Sequence, residues 1–326
     1  MTAMNPNNNL KAIAIGSLAC IFFSATYTVN SFISAGGGHW AWTVGLRTTF
    51  LVLLLLPLLV FQRRLRPLLQ ALRQHPLVWL GWGGLSFGIV YIFLTSAAFF
   101  GPGWLVAGVF QFTIVAGILL SPLIYKDARS RIPVRALLLS VLILSGIALM
   151  QWSQRNGIYT QQDLWLCVIL VLIGASLWPL ANRKVLLHTE EKTHGLNAMQ
   201  RVAGMAIGSL PVQFCLMLYG YQEAGLPGGA QTLGILVIAL SSGVIGGILF
   251  FVAMNMVRHN AAALAAVEAT QSIEIIATLV GEIILLGIVW PGSLATSGML
   301  VVMGGLVLYS IPAREKAFRL PKVKWR

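Results

Sequence analysis

AAALAAVEATQSIEIIATLVGEIILLGIVW, residues 261–290, is the stretch whose reading decides the fold. A membrane-crossing helix needs about 20 mostly apolar residues, and this run is long enough. Yet it carries three carboxylates, Glu268, Glu274 and Glu282. A charge at mid-bilayer costs about 2.5–3.5 kcal/mol even on insertion scales and generally marks a pathway or a proton relay. Three on one span are hard to explain by packing alone, so the segment reads as the working helix of a membrane protein.

Composition agrees. Of the 326 residues, 57% are hydrophobic and only 10% charged, with mean hydropathy +0.83, whereas soluble domains are about 25% charged. A balance of 22 Lys and Arg against 9 Asp and Glu would suggest nucleic acid in a soluble protein. Here the basic residues fall at the ends of apolar runs, so the bilayer is the expected partner and nucleic acid is not. Cys20, Cys167 and Cys215 lie inside apolar runs with no CxxC and no Cys/His cluster, so neither a disulfide framework nor a metal site is indicated, and no cofactor is expected. The first apolar run follows Lys11 but has no A-x-A-like cleavage site, and it reads as an uncleaved helix.

Ten apolar runs have spanning length: 11–32, 40–61, 77–99, 103–125, 133–152, 163–182, 196–219, 231–256, 261–290 and 293–312. The expected fold is an all-α polytopic membrane protein. Turn chemistry marks most breaks, as at Gly36-Gly37-Gly38, Gly101-Pro102-Gly103 and Pro291-Gly292. Nineteen of the 22 Lys and Arg lie on the even-numbered connections and the two tails; Arg155 lies opposite, and Arg47 and Arg201 lie within spans. The positive-inside rule then puts both termini in the cytoplasm. QRRLRPLLQALRQHP, residues 62–76, reads mainly as a basic loop that sets topology, although its Arg spacing also fits a helix lying on the anionic leaflet.

The two halves resemble each other. Asn30 matches Asn182, and Arg47 and Pro57 match Arg201 and Pro211; from span three onward the offset is 158, as in Gly88 with Gly246 and Val109 with Val267. Each half holds five spans, an odd number, so the second copy enters the membrane inverted. The expected domains are a cytoplasmic tail (1–10), a first repeat (11–152), a second repeat (153–312) and a basic cytoplasmic tail (313–326). Inverted repeats are typical of secondary transporters, with the substrate site near the midplane between the halves.

These features, with Leu279-Val280-Gly281-Glu282 in span nine, resemble the drug/metabolite transporter superfamily. The run AVEATQSIEIIATLVGE (266–282) is most similar to its EamA/EmrE-like multidrug resistance efflux branch, and the resemblance extends over 11–312. It implies a proton- or gradient-driven exporter in a bacterial-type cytoplasmic (inner) membrane, with a central cavity lined by spans one, three, four, six, eight and nine. Superfamily substrates range from lipophilic cations to amino acids, so none is named. One departure stands out. Many members carry Gly-Glu near the end of span four, where this chain has Ile124 beside Pro122, and Glu268 and Glu274 correspond to Phe110 and Ala116. The acidic chemistry is confined to the second half.

At about 100° per residue, Glu268 and Glu282 fall within about 40° of each other, sharing a stripe with Gln271, while Glu274 points about 120° away from Glu268. Matching depths suggest ion pairs, Arg47 with Glu282 and Arg201 with Glu268, formed statically or in alternation, because unpaired charges there are costly. Glu274, left without a cationic partner, and Glu268 are the expected proton-coupling residues. Tyr27, Asn30, Tyr91, Phe110, Gln111, Trp178, Asn182, Asn255 and Gln271 are the expected cavity residues, their aromatic faces suiting an organic cation. An enzyme is not expected. Gly84-Leu85-Ser86-Phe87-Gly88 fits the G-x-S-x-G pattern, but inside a spanning helix rather than a strand–turn–helix elbow.

The leading expectation is a secondary exporter of small organic molecules, drugs or lipophilic cations, by proton antiport. A metabolite or amino-acid exporter without proton coupling is the alternative, and a membrane sensor or assembly partner a more distant one. Monomer and homodimer both stay open.

Overall fold

The computed structural model describes residues 6–125, 132, 134–154, 159–192, 196–257 and 261–311. The charged tails, Arg155 and Arg258, on which part of the topology argument rests, lie outside the described residues.

The chain runs through helices α1 (Pro6–Ala35), α2 (Trp40–Phe61), α3 (Leu65–Gln74), α4 (Pro76–Ala97), α5 (Gly103–Leu119), α6 (Val134–Ser153), α7 (Gln161–Lys192), α8 (Ala198–Ala224) and α9 (Gly229–Val257). The tenth, α10, is assembled from Ala261–Ala269, a 3-10 turn at Thr270–Ser272 and Ile273–Leu286; α11 is Gly292–Ser310. Backbone polar groups in hydrocarbon must be satisfied within the segment, which is why apolar runs of this length fold as helices.

Eight of the helices are long and apolar enough to cross a membrane among the described residues. The fourth and fifth expected spans are instead shorter apolar helices, Gly103–Leu119 and Leu137–Ser153. For α5 the cause is local. The helix is interrupted at Gln111 and gives way near Pro122 to a four-residue helix, Ser121–Ile124. The basic segment after α2 is a helix, not a loop. Leu68 and Ala71 of α3 are buried, Ala71 accepts a hydrogen bond from the Trp79 indole at 3.1 Å, and Arg66 and Arg73 stay exposed.

Among the described residues, four helices carry discontinuities. α4 is π-helical over Gly84–Ile89 and α9 over Ala239–Gly246; α5 breaks at Gln111 and α10 at Thr270–Ser272. A π-helical turn leaves carbonyls off the regular ladder. In α4 the Phe87 carbonyl is taken by Gln213 Nε2 at 2.7 Å and by the Thr48 hydroxyl at 3.4 Å.

α1 packs on α9 and α10, and α7 packs on α4 and α5. α2 lies along α8, and α6 along α11. The α6–α11 contact is backbone to backbone. A Cβ on Gly146 would sit 2.9 Å from the Gly298 carbonyl oxygen, and one on Gly298 2.8 Å from that of Gly146, so only glycines permit the approach. This arrangement leaves a space bounded by α1, α2, α4, α5, α7, α8, α9 and α10.

Candidate functional site

That space is a cavity of about 560 Å³, within the range of about 300–1,000 Å³ typical of small-molecule sites. Phe87, Tyr91 and Trp178 form one wall, with ring centroids 5.7 to 6.0 Å apart. Phe87 and Tyr91 are four residues apart on α4 and so share a face; Trp178 reaches them from α7. Tyr27 and Phe110 meet at 6.3 Å, and Phe23 and Phe250 at 5.7 Å, on other walls. Gln111 and Gln271, at the breaks of α5 and α10, come together: Gln111 Nε2 donates to the Gln271 carbonyl at 3.5 Å.

Among the described residues, three charged side chains line the cavity: Arg47, Arg201 and Glu274. Arg47 is buried, with its guanidinium carbon 3.7 Å from the centre of the Tyr91 ring. Its Nη2 donates to Thr26 Oγ1 at 3.2 Å, and the Thr26 hydroxyl donates to Ser242 Oγ at 2.7 Å, in the π-helical part of α9. Arg47 Nη1 has no hydrogen-bond partner. Glu274 is also buried, and the Tyr27 side chain is near enough to interact with its carboxyl. The charge of Arg47 also reaches Tyr27, so that side chain links the acidic and basic sides of the cavity.

Glu282 belongs elsewhere. Its carboxylate accepts hydrogen bonds from the backbone N–H of Gly103 at 2.7 Å and of Trp104 at 2.9 Å. These are orphan donors at the start of α5, where Pro102 supplies no side-chain cap, and the positive end of the helix dipole favours an anion there. A Cβ on Gly103 would lie 3.0 Å from Glu282 Oε1 and 2.9 Å from the Tyr27 carbonyl oxygen, so glycine makes room for the clamp. Tyr159, in the connection before α7, lies close enough to feel the carboxylate. Burial first, and Glu282 second, push its hydroxyl above the usual tyrosine range.

The expected pairing of Arg47 with Glu282 is therefore corrected: each has a different partner. Glu268 is absent from the cavity lining and feels the charge of Arg183, while Arg201 donates to its own helix entry at Leu196 O, 3.1 Å away. Arg183 in turn hydrogen-bonds the Gly117 carbonyl and, at 3.4 Å, Ser121 Oγ. The short helix α5 is thus held at its N-terminus by a carboxylate from α10 and near its C-terminus by a guanidinium from α7. The expected shared stripe of Glu268 and Glu282 assumed an unbroken α-helix, and the 3-10 turn at Thr270–Ser272 shifts that phase.

Of the nine expected cavity residues, Tyr27, Tyr91, Phe110, Gln111, Trp178 and Gln271 line it. Asn30 is buried away from it with an unpartnered Oδ1, Asn182 donates back to Trp178 O at 2.9 Å on its own helix, and Asn255 is exposed. Sequence reasoning missed Thr26, Phe87 and Ser242. Phe87, four residues before Tyr91, was the one open to a same-face argument.

One end of the cavity is shut. Gln231 Nε2 donates to His39 O at 2.8 Å and to Thr43 Oγ1 at 3.0 Å, the Trp42 indole donates to Gly225 O at 2.8 Å, and Ile33, Ile235 and Ile238 pack together beneath. The other way, the lining continues to Ala198, Met199 and Met254, at the ends of α8 and α9 that adjoin the basic connections.

Long apolar helices enclosing an aromatic cavity with buried charges define a multi-pass membrane protein. The chain belongs to the EmrE multidrug resistance efflux transporter family, whose sequence pattern matches residues 10–315. It is 41% identical over 324 residues to the uncharacterized protein YjlA of Bacillus subtilis (strain 168), covering 97% of this chain and 98% of that one. It is 36% identical over 270 residues to an uncharacterized 42.1 kDa protein of Shouchella clausii, from the 3' region of an intracellular alkaline protease, covering 81% of this chain and 70% of that one. A protein crystal structure superposes with TM-score 0.62 at 14% identity, covering 92% of this chain and 96% of that one, a likeness of fold.

Proposed function

We propose that the protein is a secondary active transporter that exports small organic molecules by alternating access, with Glu274 exchanging protons for substrate. The observation that carries this reading is Glu274 itself: a buried acid on the wall of an otherwise largely aromatic and apolar cavity. A carboxyl so placed can hold a proton or face a substrate, but gains little from doing both, and that competition is what antiport requires. The family's efflux description and the aromatic lining support drug-like organic substrates.

Two five-helix repeats are supported by the positions of the helix breaks. The π-helical segments end at Ile89 and Gly246, and the breaks of α5 and α10 fall at Gln111 and Thr270, offsets of 157 and 159 around the 158 of the sequence match. The packing pattern also suits a pseudo-twofold, since α1 against α9 and α10 mirrors α7 against α4 and α5. On that reading α5 and α6 complete a ten-helix scaffold, both termini are cytoplasmic, and the sealed end with Gln231 faces out of an inner membrane. The cavity then represents the inward-facing state.

Proteoliposomes with an imposed pH gradient and a trapped pH-sensitive dye test this. Substrate addition is expected to release protons in the wild type and not in Glu274→Gln. Flux that is independent of the gradient would favour the second reading, a metabolite exporter without proton coupling. Absence of flux for a broad panel of organic solutes would overturn transport.

A further inference from the structure

We infer that α3 is a binding site for an anionic phospholipid: its arginines hold the headgroup phosphate while a leucine edge beside them rests against the acyl chains. Such a site depends on the membrane class of the protein alone and not on the role of the cavity.

α3 joins two long apolar helices at one membrane face, since α2 ends at Phe61 and α4 begins at Pro76. Its inward side, Leu68 and Ala71, is buried. Going round the helix from there, Leu72 and Leu65 are half-buried and Leu69 is exposed. Next come Arg66 and Arg73, both exposed and, at about 100° per residue, within about 20° of each other. Gln70 and Gln74 follow, also exposed. The order of core, leucine edge, arginine stripe and polar face is that of a helix lying in an interface, with its apolar flank toward the chains and its arginines at headgroup level. Phe61 and Leu77, 88% and 82% exposed, stand beyond its two ends, so apolar surface continues from the leucine edge onto α2 and α4.

The charge on this face has one sign. Arg63, Arg64, Arg66 and Arg73 are all exposed, and the first acid of the chain is Asp127. α3 packs mainly on α8, α4 and α2, whose one acid, Glu223, lies at the opposite end of α8. A cluster of basic residues beside a spanning helix draws anionic lipid, and a guanidinium meets a phosphate through paired N–H donors. The turn into α3 adds to this. Arg64 N–H donates to Leu59 O at 2.8 Å and Arg63 N–H to Val60 O at 2.9 Å, a Schellman close to α2. The positive-φ position of that turn is normally glycine, yet here it is Arg63, at φ 55°. A charged side chain thus stands where the backbone favours none.

A soluble acidic partner would use the arginines but gain nothing from the leucine edge, whereas a phospholipid uses both. The site also adjoins the mouth of the cavity. Gln200, in the first turn of α8 next to the lining residues Ala198 and Met199, donates through Nε2 to Arg64 O at 2.8 Å.

Full-length protein in neutral detergent is titrated with phosphatidylglycerol or phosphatidylcholine, and the bound lipids are counted by native mass spectrometry. Wild type is expected to prefer phosphatidylglycerol by about tenfold or more, since each basic residue near an anionic surface is worth about fivefold, and to lose that preference as salt screens it. Arg66→Gln with Arg73→Gln is expected to bring the two lipids within about twofold of each other, with the matching Lys pair in between. Both side chains are exposed, so thermal melting should match wild type; if the pair does not fold, each single substitution carries the same test at about fivefold. Leu69→Ser is expected to weaken retention of both lipids alike. Equal retention of the two lipids by wild type, or a preference unchanged without Arg66 and Arg73, overturns the inference. So does full displacement of phosphatidylglycerol by soluble glycerol 3-phosphate or polyglutamate, which would mark a plain phosphate site or an acidic-protein dock. Lipid counting is independent of flux, so a protein that retains the lipid and moves nothing would refute the transporter reading and leave this one standing.

Discussion

The Glu282 carboxylate, from the C-terminal half of α10, bridges the backbone N–H groups of Gly103 and Trp104 at 2.7 and 2.9 Å and so caps a helix 179 residues earlier in the chain. An acid that the sequence presents as one of three on a helix is, in the fold, part of the end of α5. Replacing Glu282 with Ala leaves two buried donors without an acceptor, at about 1–3 kcal/mol each. Thermal melting in detergent is expected to drop by several degrees, more than for Glu282→Gln, which keeps one acceptor oxygen. If Glu282→Ala melts like wild type, the clamp contributes nothing.

Gly103→Ala is expected to act on the same contact from the other side. Its Cβ would lie 2.6 Å from Ser31 Oγ and 2.9 Å from the backbone oxygen of Tyr27. The backbone neighbour cannot swing away, so expression and melting temperature fall together. Combined with Glu282→Ala, the loss should be less than the sum, because both changes break one contact; additive losses would separate the two effects.

The Tyr91 ring over Arg47 makes a separable prediction. Tyr91→Phe retains the ring face and is expected to melt close to wild type, while Tyr91→Leu removes a cation–π contact of about 0.5–2 kcal/mol and is expected to lower the melting temperature by a few degrees. Thermal melting of both variants in nanodiscs measures the difference. Equal melting temperatures would mean that the ring only fills space.

Glu268 and Glu274 should part company. Glu274→Gln is expected to abolish pH-driven flux while sparing exchange of labelled for unlabelled substrate. Glu268→Gln, outside the cavity lining and within the field of Arg183, is expected to keep pH-driven flux and lower stability instead. A gradient response lost in Glu268→Gln and retained in Glu274→Gln would reverse the assignment.

Gln231 ties α9 to the start of α2 through His39 and Thr43. Gln231→Ala is expected to loosen the sealed end, read as faster amide hydrogen exchange over residues 36–43 and 229–233, with residues 198–202 at the other end unchanged. Uniform exchange across both ends would show that Gln231 is not a latch.

The membrane class, most helix positions and the residues worth suspecting were all legible without coordinates. Apolar length and charge placement are summed over local sequence, and the cost of charge in hydrocarbon does not depend on which helix is the neighbour. Glu274 and Arg47 stood out on those grounds, and Tyr91 and Gln111 as aromatic and amide residues on the spans that the family resemblance places around a cavity. Partner choice did not. A 3-10 turn advances about 120° per residue against about 100° for an α-helix, so three residues at Thr270–Ser272 rotate the rest of α10 by about 60° and undo any face drawn from spacing. Whether Glu282 meets Arg47 or the amides of Gly103 and Trp104 depends on how α10 packs on α5, a contact between distant parts of the chain. The sequence by itself determined that acids and guanidiniums would be buried in a membrane; only the tertiary structure decided that one acid caps a helix, one lies outside the cavity lining within the field of Arg183, and one faces a cavity.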